Sequence, residues 1–231
     1  KCKEIIKEVN PSWTINAAAY TNVEKAEEEP HLAKAINTTA PKIIAEEISK
    51  QKGQLLHIST DFVFSGKQNY PYKVTQKTSP INIYGKTKAK GEYHVNKVLL
   101  GRGKILRTSW LYGPDGKNFL LTILNLLKKS SKNDNPIKVI SDQFSCPTST
   151  ESLSMICWRI INFNNINYSN FLHWCDGGKA SWFDFAISIN KFANELGLIK
   201  KNVLIKPIPS KEYKSKVQRP HYSLLDCSYT R

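Results

Sequence analysis

Tyr84 and Lys88 stand four residues apart in Tyr84-Gly85-Lys86-Thr87-Lys88, at the start of a predicted helix. Residues at i and i+4 share one helical face. A phenol has an unperturbed pKa of about 10, so alone it is a poor acid catalyst at neutral pH. A lysine ammonium beside it favours the phenolate and lowers that pKa. The pair can then give or take a proton at a carbonyl or hydroxyl carbon. By itself Tyr-x-x-x-Lys is a weak motif, because an exposed surface pair has the same spacing. The segment Leu55-Leu56-His57-Ile58-Ser59-Thr60-Asp61-Phe62-Val63-Phe64 sharpens it. Leu55 to Ile58 reads as a short buried strand, with Gly53 before it and hydroxyl residues after. In open α/β sheets ligands sit beyond the carboxyl ends of strands, and Ser59 and Thr60 occupy that end. A polar strand-to-loop cap explains them equally well. The functional alternative places a hydroxyl beside the Tyr84 phenol, where it orients a substrate oxygen. A hydroxyl, a tyrosine and a lysine together make a proton-delivery set for carbonyl reduction.

The elements that must position these groups alternate between strand and helix. The pattern predicts a helix tail over Lys1–Val9, a strand at Trp13–Ala17 and a helix over Ala26–Lys50, kinked or broken near Pro30 and Pro41. Strand Gln54–Ser59, helix Ile83–Leu99 and strand Lys104–Thr108 follow. Then come helix Asn118–Lys129, a strand near Lys138–Ile140, helix Thr150–Ile161, a strand near Asn170–Trp174, helix Ser181–Leu196 and strand Asn202–Lys206. Asn162–Asn170 is polar and asparagine-rich and reads as a loop. Such alternation argues for a parallel α/β sheet.

Six blocks, in order along nearly the whole chain, carry a family resemblance. They are Ile15–Glu27, His57–Phe64, Tyr84–Glu92, Leu106-Arg107-Thr108-Ser109-Trp110-Leu111-Tyr112-Gly113, Ser141-Asp142-Gln143-Phe144-Ser145-Cys146-Pro147-Thr148 and Arg219–Asp226. At these residues the chain resembles the extended short-chain dehydrogenase/reductases, specifically the dTDP-4-dehydrorhamnose reductase family. The resemblance implies an α/β fold: a partial Rossmann-like doubly wound parallel sheet with a smaller C-terminal substrate-binding region. Residues 1–140 would form the dinucleotide-binding part and 141–231 mainly the substrate-binding part, interleaved with the first. The implied reaction is NADPH- or NADH-dependent reduction of dTDP-4-dehydro-L-rhamnose to dTDP-L-rhamnose. Tyr84 would be the general acid, Lys88 would tune it and hold the nicotinamide ribose, and Thr60 would complete the catalytic set. Ala19, Tyr20 and Thr21, with Tyr84 and Lys88, would bind cofactor. Thr60, Asp61, Trp110 and Arg219 would bind the dTDP-sugar. No metal is implied; a homodimer is compatible, although the sequence does not fix oligomeric state.

The residues themselves admit blander readings. The small side chains of Asn16-Ala17-Ala18-Ala19 suit close packing, and Glu24, Glu27, Glu28 and Glu29 suit a helix first turn. A lone tryptophan such as Trp110 is more often core, and Arg219 could fix the C-terminal segment as well as pair with phosphate. Two departures from the family pattern stand out. Phe62 replaces a usual tyrosine. Ser145 replaces a usual glycine, which would add strain if the backbone there has positive φ.

Among the eleven glycines the only G-x-G is Gly101-Arg102-Gly103, and residue 106 is leucine, so no G-x-G-x-x-G phosphate turn is present. The family's first three strands and two helices are therefore expected to lie outside these residues. An uncovered sheet edge, poor solubility and negligible NADPH affinity are expected of the 231 residues alone. Net charge is +15, from 34 basic and 19 acidic residues. No nucleic-acid-binding signature accompanies it, and anionic ligands account for a basic balance. No apolar run approaches the ~20 residues of a membrane span, so no membrane partner is expected. Cysteines 2, 146, 157, 175 and 227 form no C-x-x-C pair. This dispersed set predicts reduced thiols, a cytoplasmic protein and no zinc site. Two rivals remain at this level: a non-catalytic scaffold or regulatory subunit with a reductase-like fold, like that of methionine adenosyltransferase, and a nucleotide-sugar epimerase.

Overall fold

The computed structural model describes residues 2–133, 135–162 and 169–231. Its main sheet contains β1 (Trp13–Asn16), β2 (Gln54–Thr60), β3 (Gly103–Thr108) and β8 (Phe171–His173), all parallel, in the order β1-β2-β3-β8. Successive strand residues point to opposite faces, and each face has its own helices. Leu55 and Ile105 bury against Ala45 and Ile48 of α4 (Ala40–Lys50) and Val95 and Leu99 of α5 (Ile83–Leu99), with Ile6 of α1 (Cys2–Val9) beside them. Leu56 and Leu106 bury on the other face, against Leu153, Ile156 and Ile160 of α7 (Thr150–Asn162). Near-continuous apolar strands covered on both sides are what parallel sheets require.

A second core lies outside this sheet. It joins α6 (Phe119–Asn133), β5 (Ile137–Ile140), α8 (Trp182–Glu195) and β10 (Ile205–Ile208), through Ile123, Leu127, Val139, Ala186, Ile189 and Ile205. The strand expected at Asn202–Lys206 instead pairs from Ile205, in register with Ile137. The cause is Asn190 of α8. Its amide donates to Val203 O at 2.9 Å and accepts from Val203 N at 3.1 Å, holding Val203 out of the ladder. Two-residue strands link the cores: β4 (Leu111–Tyr112) with β7 (Thr148–Ser149), and β6 (Phe144–Ser145) with β9 (Ala180–Ser181).

The two prolines act differently from each other: the helical run is interrupted before Pro30, as expected, but not at Pro41. After α2 (Val23–Glu28), Pro30 opens α3 (Pro30–Lys34), but Pro41 does not break the run. A π-helical turn at Ala35–Thr39 leads straight into α4. Proline lacks the N–H that would bond to the carbonyl of residue 37. That carbonyl meets Gly91 instead, where an added Cβ would lie 2.2 Å from Asn37 O. Gly91 thus lets α5 press directly on the π turn. The asparagine-rich loop expected at Asn162–Asn170 falls mostly on residues 163–168, outside the described residues. Among the described residues no helix is long and apolar enough to cross a membrane.

Candidate active site

The carboxyl ends of β1, β2 and β3 open onto a cleft of about 370 Å³. Thr60, Tyr84, Lys88, Asp61, Trp110, Arg219, Ala19 and Thr21 all line it. Tyr20 does not. Its backbone amide donates to Asn37 Oδ1 at 2.8 Å and its phenol donates to Glu29, a residue outside the cleft lining.

Two local devices bring Tyr84 to Thr60. Asn82 caps α5 by accepting from Gly85 N at 2.8 Å, the usual way an N-terminal amide is satisfied. Gly85 then allows contact: a Cβ there would fall 2.2 Å from Phe62 O. The first turn of α5 therefore rests directly on the turn that follows β2. There Thr60 and Tyr84 line the cleft together, and Phe62 meets the Tyr84 ring edge-on at 5.6 Å. The phenylalanine that replaces a usual tyrosine thus packs on the catalytic candidate.

Below the cleft the helix is tied down by charge. Arg107 of β3 grips Glu92 of α5 through two hydrogen bonds, Nε to Oε1 at 2.9 Å and Nη2 to Oε2 at 2.7 Å. Ser59 adds a donor to Glu92 at 2.6 Å. Strand alternation explains why Ser59 serves this ion pair while its neighbour Thr60 faces the cleft. All three residues are buried, the setting in which such a pair must be fully hydrogen-bonded.

The electrostatics depart from the sequence expectation in one respect. Lys88 was expected to lower the Tyr84 phenol. Burial instead raises Tyr84 to about 12, and a nearby Asp61 charge adds to this, with Thr60 opposing it. The Lys88 ammonium is engaged elsewhere, donating to Ile58 O at 2.6 Å, and burial lowers it to about 8. Asp61 is only 2% exposed, and burial raises its carboxyl to about 6. Ser223 and Ser145 donate to its Oδ2 and Thr60 to its Oδ1. Ser145 lies in extended β6, so the strain foreseen for a serine at a positive-φ site does not arise. Its hydroxyl, which a glycine would lack, reaches Asp61 at 3.4 Å.

Trp110 adopts φ +46, an uncommon left-handed conformation for a bulky residue. Its ring stacks on Trp182 at 3.5 Å and 9° between planes. Trp182 lines the same cleft and in turn donates to Gln143 Oε1 at 3.2 Å. Sequence reasoning missed Trp182; only the Ser181–Asp184 capping box marks the turn that presents it. Lys117, also missed, adds a cation at the rim. Arg219 donates to Glu24 Oε1 at 2.9 Å. Glu27 accepts from Ile83 N at 2.7 Å, so the acidic cluster of α2 ties the C-terminal segment and α5 to one wall of the cleft.

Known proteins resemble this chain along nearly its whole length. The family profile described as RmlD substrate binding domain matches residues 1–231. The dTDP-4-dehydrorhamnose reductase of Escherichia coli K12 is 33% identical over 225 residues, which is 96% of this chain and 74% of that protein. The crystal structure of the Bacillus anthracis dTDP-4-dehydrorhamnose reductase in complex with NADP superposes with a TM-score of 0.88 at 32% identity, covering 98% of this chain and 76% of the other. The Clostridium acetobutylicum orthologue gives 0.88 at 35%, over 99% and 76%. A UDP-glucose 4-epimerase from Thermotoga maritima, 15% identical with a TM-score of 0.74, shares the fold. The chain spans about three quarters of the reductases it matches, and it belongs to the dTDP-4-dehydrorhamnose reductase family.

Proposed function

We propose that this chain carries the substrate-handling and proton-delivery part of an oxidoreductase that reduces dTDP-4-dehydro-L-rhamnose to dTDP-L-rhamnose with NADPH or NADH, in the cytoplasm. The observation that carries this reading is the convergence of Thr60, Tyr84 and Lys88 with Trp110 and Arg219 in one cleft. We read residues 1–140 as mainly facing the dinucleotide and 141–231 as mainly facing the sugar nucleotide.

The residues fit the nicotinamide end of a cofactor. Ala17 and Ala19 present only methyl groups beyond the end of β1, in the cleft that Tyr84 and Lys88 also line. Ala19, Thr21, Tyr84 and Lys88 would hold that end, whereas no Gly-rich turn for the pyrophosphate occurs in these residues. The bound cofactor supplies hydride to the sugar C4.

Tyr84 supplies the proton. With its pKa near 12 the phenol is fully protonated at neutral pH, the form a reduction needs. Its O–H bond breaks as the proton passes to the C4 oxygen, leaving a phenolate. Thr60 has one proton to donate, and in the resting site Asp61 accepts it. Asp61 keeps Ser223 and Ser145 as donors, so Thr60 can turn its proton to the new phenolate without stranding the carboxylate. Lys88 adds positive charge in the same cleft. Trp110 offers a flat apolar face to the sugar nucleotide. Arg219 spends one of its five N–H donors on Glu24 and keeps others for phosphate.

The test is product identification. The gene product containing these 231 residues is incubated with dTDP-4-dehydro-L-rhamnose and NADPH, and the sugar nucleotide is analysed by NMR. Formation of dTDP-L-rhamnose in step with NADPH loss is expected. Epimerised but unreduced sugar would refute the assignment.

A further inference from the structure

Three of the five cysteines, scattered in sequence, meet at one buried place. Cys175 follows β8, Cys227 follows the bridge between Leu225 and Tyr72, and Cys146 follows β6. The sulfurs of Cys175 and Cys227 lie 3.5 Å apart, and the Cys175 amide donates to Cys227 Sγ at 3.3 Å. Cys146 packs in the same buried cluster, its thiol donating to Asp176 O at 2.9 Å. All three are free and buried. Arg231 lies over them, donating to Cys175 O at 2.8 Å and placing positive charge near each sulfur. Among the described residues no His, Cys, Asp and Glu side chains group so as to hold a metal ion.

We propose that Cys146, Cys175 and Cys227 form an oxidisable thiol centre, in which a hydroperoxide drives formation of a Cys175–Cys227 disulfide. Cys146 is placed to react first. The neighbouring Cys175 thiol holds it below the ordinary thiol range, whereas Cys175 and Cys227 are raised. Cys146 is itself fully buried, with its thiol against the carbonyls of Pro147, Asp176 and Gly177, residues that wall a cleft of about 610 Å³; a peroxide must pass between them to reach the sulfur.

The steps balance. The Cys146 thiolate attacks the peroxide O–O bond, which breaks; hydroxide leaves and the sulfur becomes a sulfenic acid. Cys175 attacks that sulfur, the S–O bond breaks, and water leaves with the thiol proton. Cys227 then attacks the Cys175 sulfur and expels Cys146. The more acidic thiol is the better leaving group, so the exchange ends on the Cys175–Cys227 pair. Overall two thiols lose two electrons and two protons, and one peroxide becomes two waters.

The cross-link would act on the substrate cleft from behind. Ser223, in the same segment as Cys227, donates to Asp61, and Ser109, next to Trp110, donates to Cys146 O at 2.7 Å.

The reduced protein, treated with one equivalent of hydrogen peroxide, is alkylated under denaturing conditions, digested with trypsin and mapped by mass spectrometry. The expected product joins the peptide 160–179 to the peptide 217–231. Melting temperature should rise by roughly 5–15 °C and fall back on adding a dithiol. A Cys146→Ser variant should form the link at least about tenfold more slowly. Oxidation confined to exposed Cys2, a stable end product joining Cys146 to Cys175, or an undiminished rate in Cys146→Ser would overturn the proposal.

Discussion

Alanine at position 85 adds one methyl group to the chain, and the structure says where that group must go. The new Cβ would lie 2.2 Å from Phe62 O, 3.0 Å from Phe62 C and 3.0 Å from Pro80 Cβ. Backbone carbonyls cannot swing aside as a side chain does. The first turn of α5 must therefore retreat from the post-β2 turn by about 1 Å to reach ordinary contact, since packed interiors hold no spare room. Stability is affected in two opposing directions. Overpacking costs about 1–3 kcal/mol, and alanine gains about 0.8–1.0 kcal/mol over glycine within a helix. The net loss should be no more than about 2 kcal/mol, which a protein with stability near 10 kcal/mol survives folded. Catalysis should suffer far more. Tyr84 precedes Gly85, so the same retreat carries the phenol away from Thr60, and a 1 Å misplacement costs about 10²-fold in rate. Gly85→Ala should unfold in urea with a slightly lower midpoint, and turn over the sugar nucleotide about 100-fold more slowly with a nearly unchanged KM. Turnover within about threefold of the parent in a folded variant would show that the Gly85 contact does not position the phenol.

Three further outcomes follow from the same geometry. Asp61 has a folded pKa near 6, above its unfolded value, so it binds an extra proton in the native state between about pH 4 and 6. Its stabilising contribution is complete below pH 4 and lost as pH rises through 6. Relative to the parent, Asp61→Asn should therefore gain on the order of 2–3 kcal/mol in urea unfolding between pH 4 and 7, and a constant difference would contradict the burial argument. Arg107→Met leaves Glu92 charged, buried and unpaired, which should cost about 3–5 kcal/mol; adding Glu92→Leu should restore part of it, and a fully additive double variant would deny the pairing. Trp182→Ala removes the ring on which Trp110 stacks, so KM for the dTDP-sugar should rise with little change in kcat; an unchanged KM would remove Trp182 from the substrate wall.

The proposed trio of Thr60, Tyr84 and Lys88, which meets in one cleft, was legible because its pieces are local. Tyr84 and Lys88 share a helix face, and Thr60 ends a strand whose apolar run is plain in the sequence. What the sequence hid depends on distant partners. Lys88 turns to Ile58 O because burial leaves its ammonium needing an acceptor. Ser145 reads as a misplaced glycine until Asp61 stands beside it. Pro41 reads as a helix break until the π turn and Gly91 are seen to use the carbonyl it frees. Trp182, Cys175 and Cys227 lie in none of the six blocks, and the block that holds Cys146 says nothing of its distant partners. They are gathered by the second core and by the return of the C-terminal segment, neither of which has a local pattern.

The account rests on Tyr84 as the proton donor, and Tyr84→Phe tests it most directly. The substitution keeps the ring against Phe62 and removes the hydroxyl alone. Turnover of dTDP-4-dehydro-L-rhamnose by the gene product should fall about 10²–10⁴-fold, with melting temperature and sugar-nucleotide KM close to those of the parent. A Tyr84→Phe protein that forms dTDP-L-rhamnose at the parental rate would contradict the account.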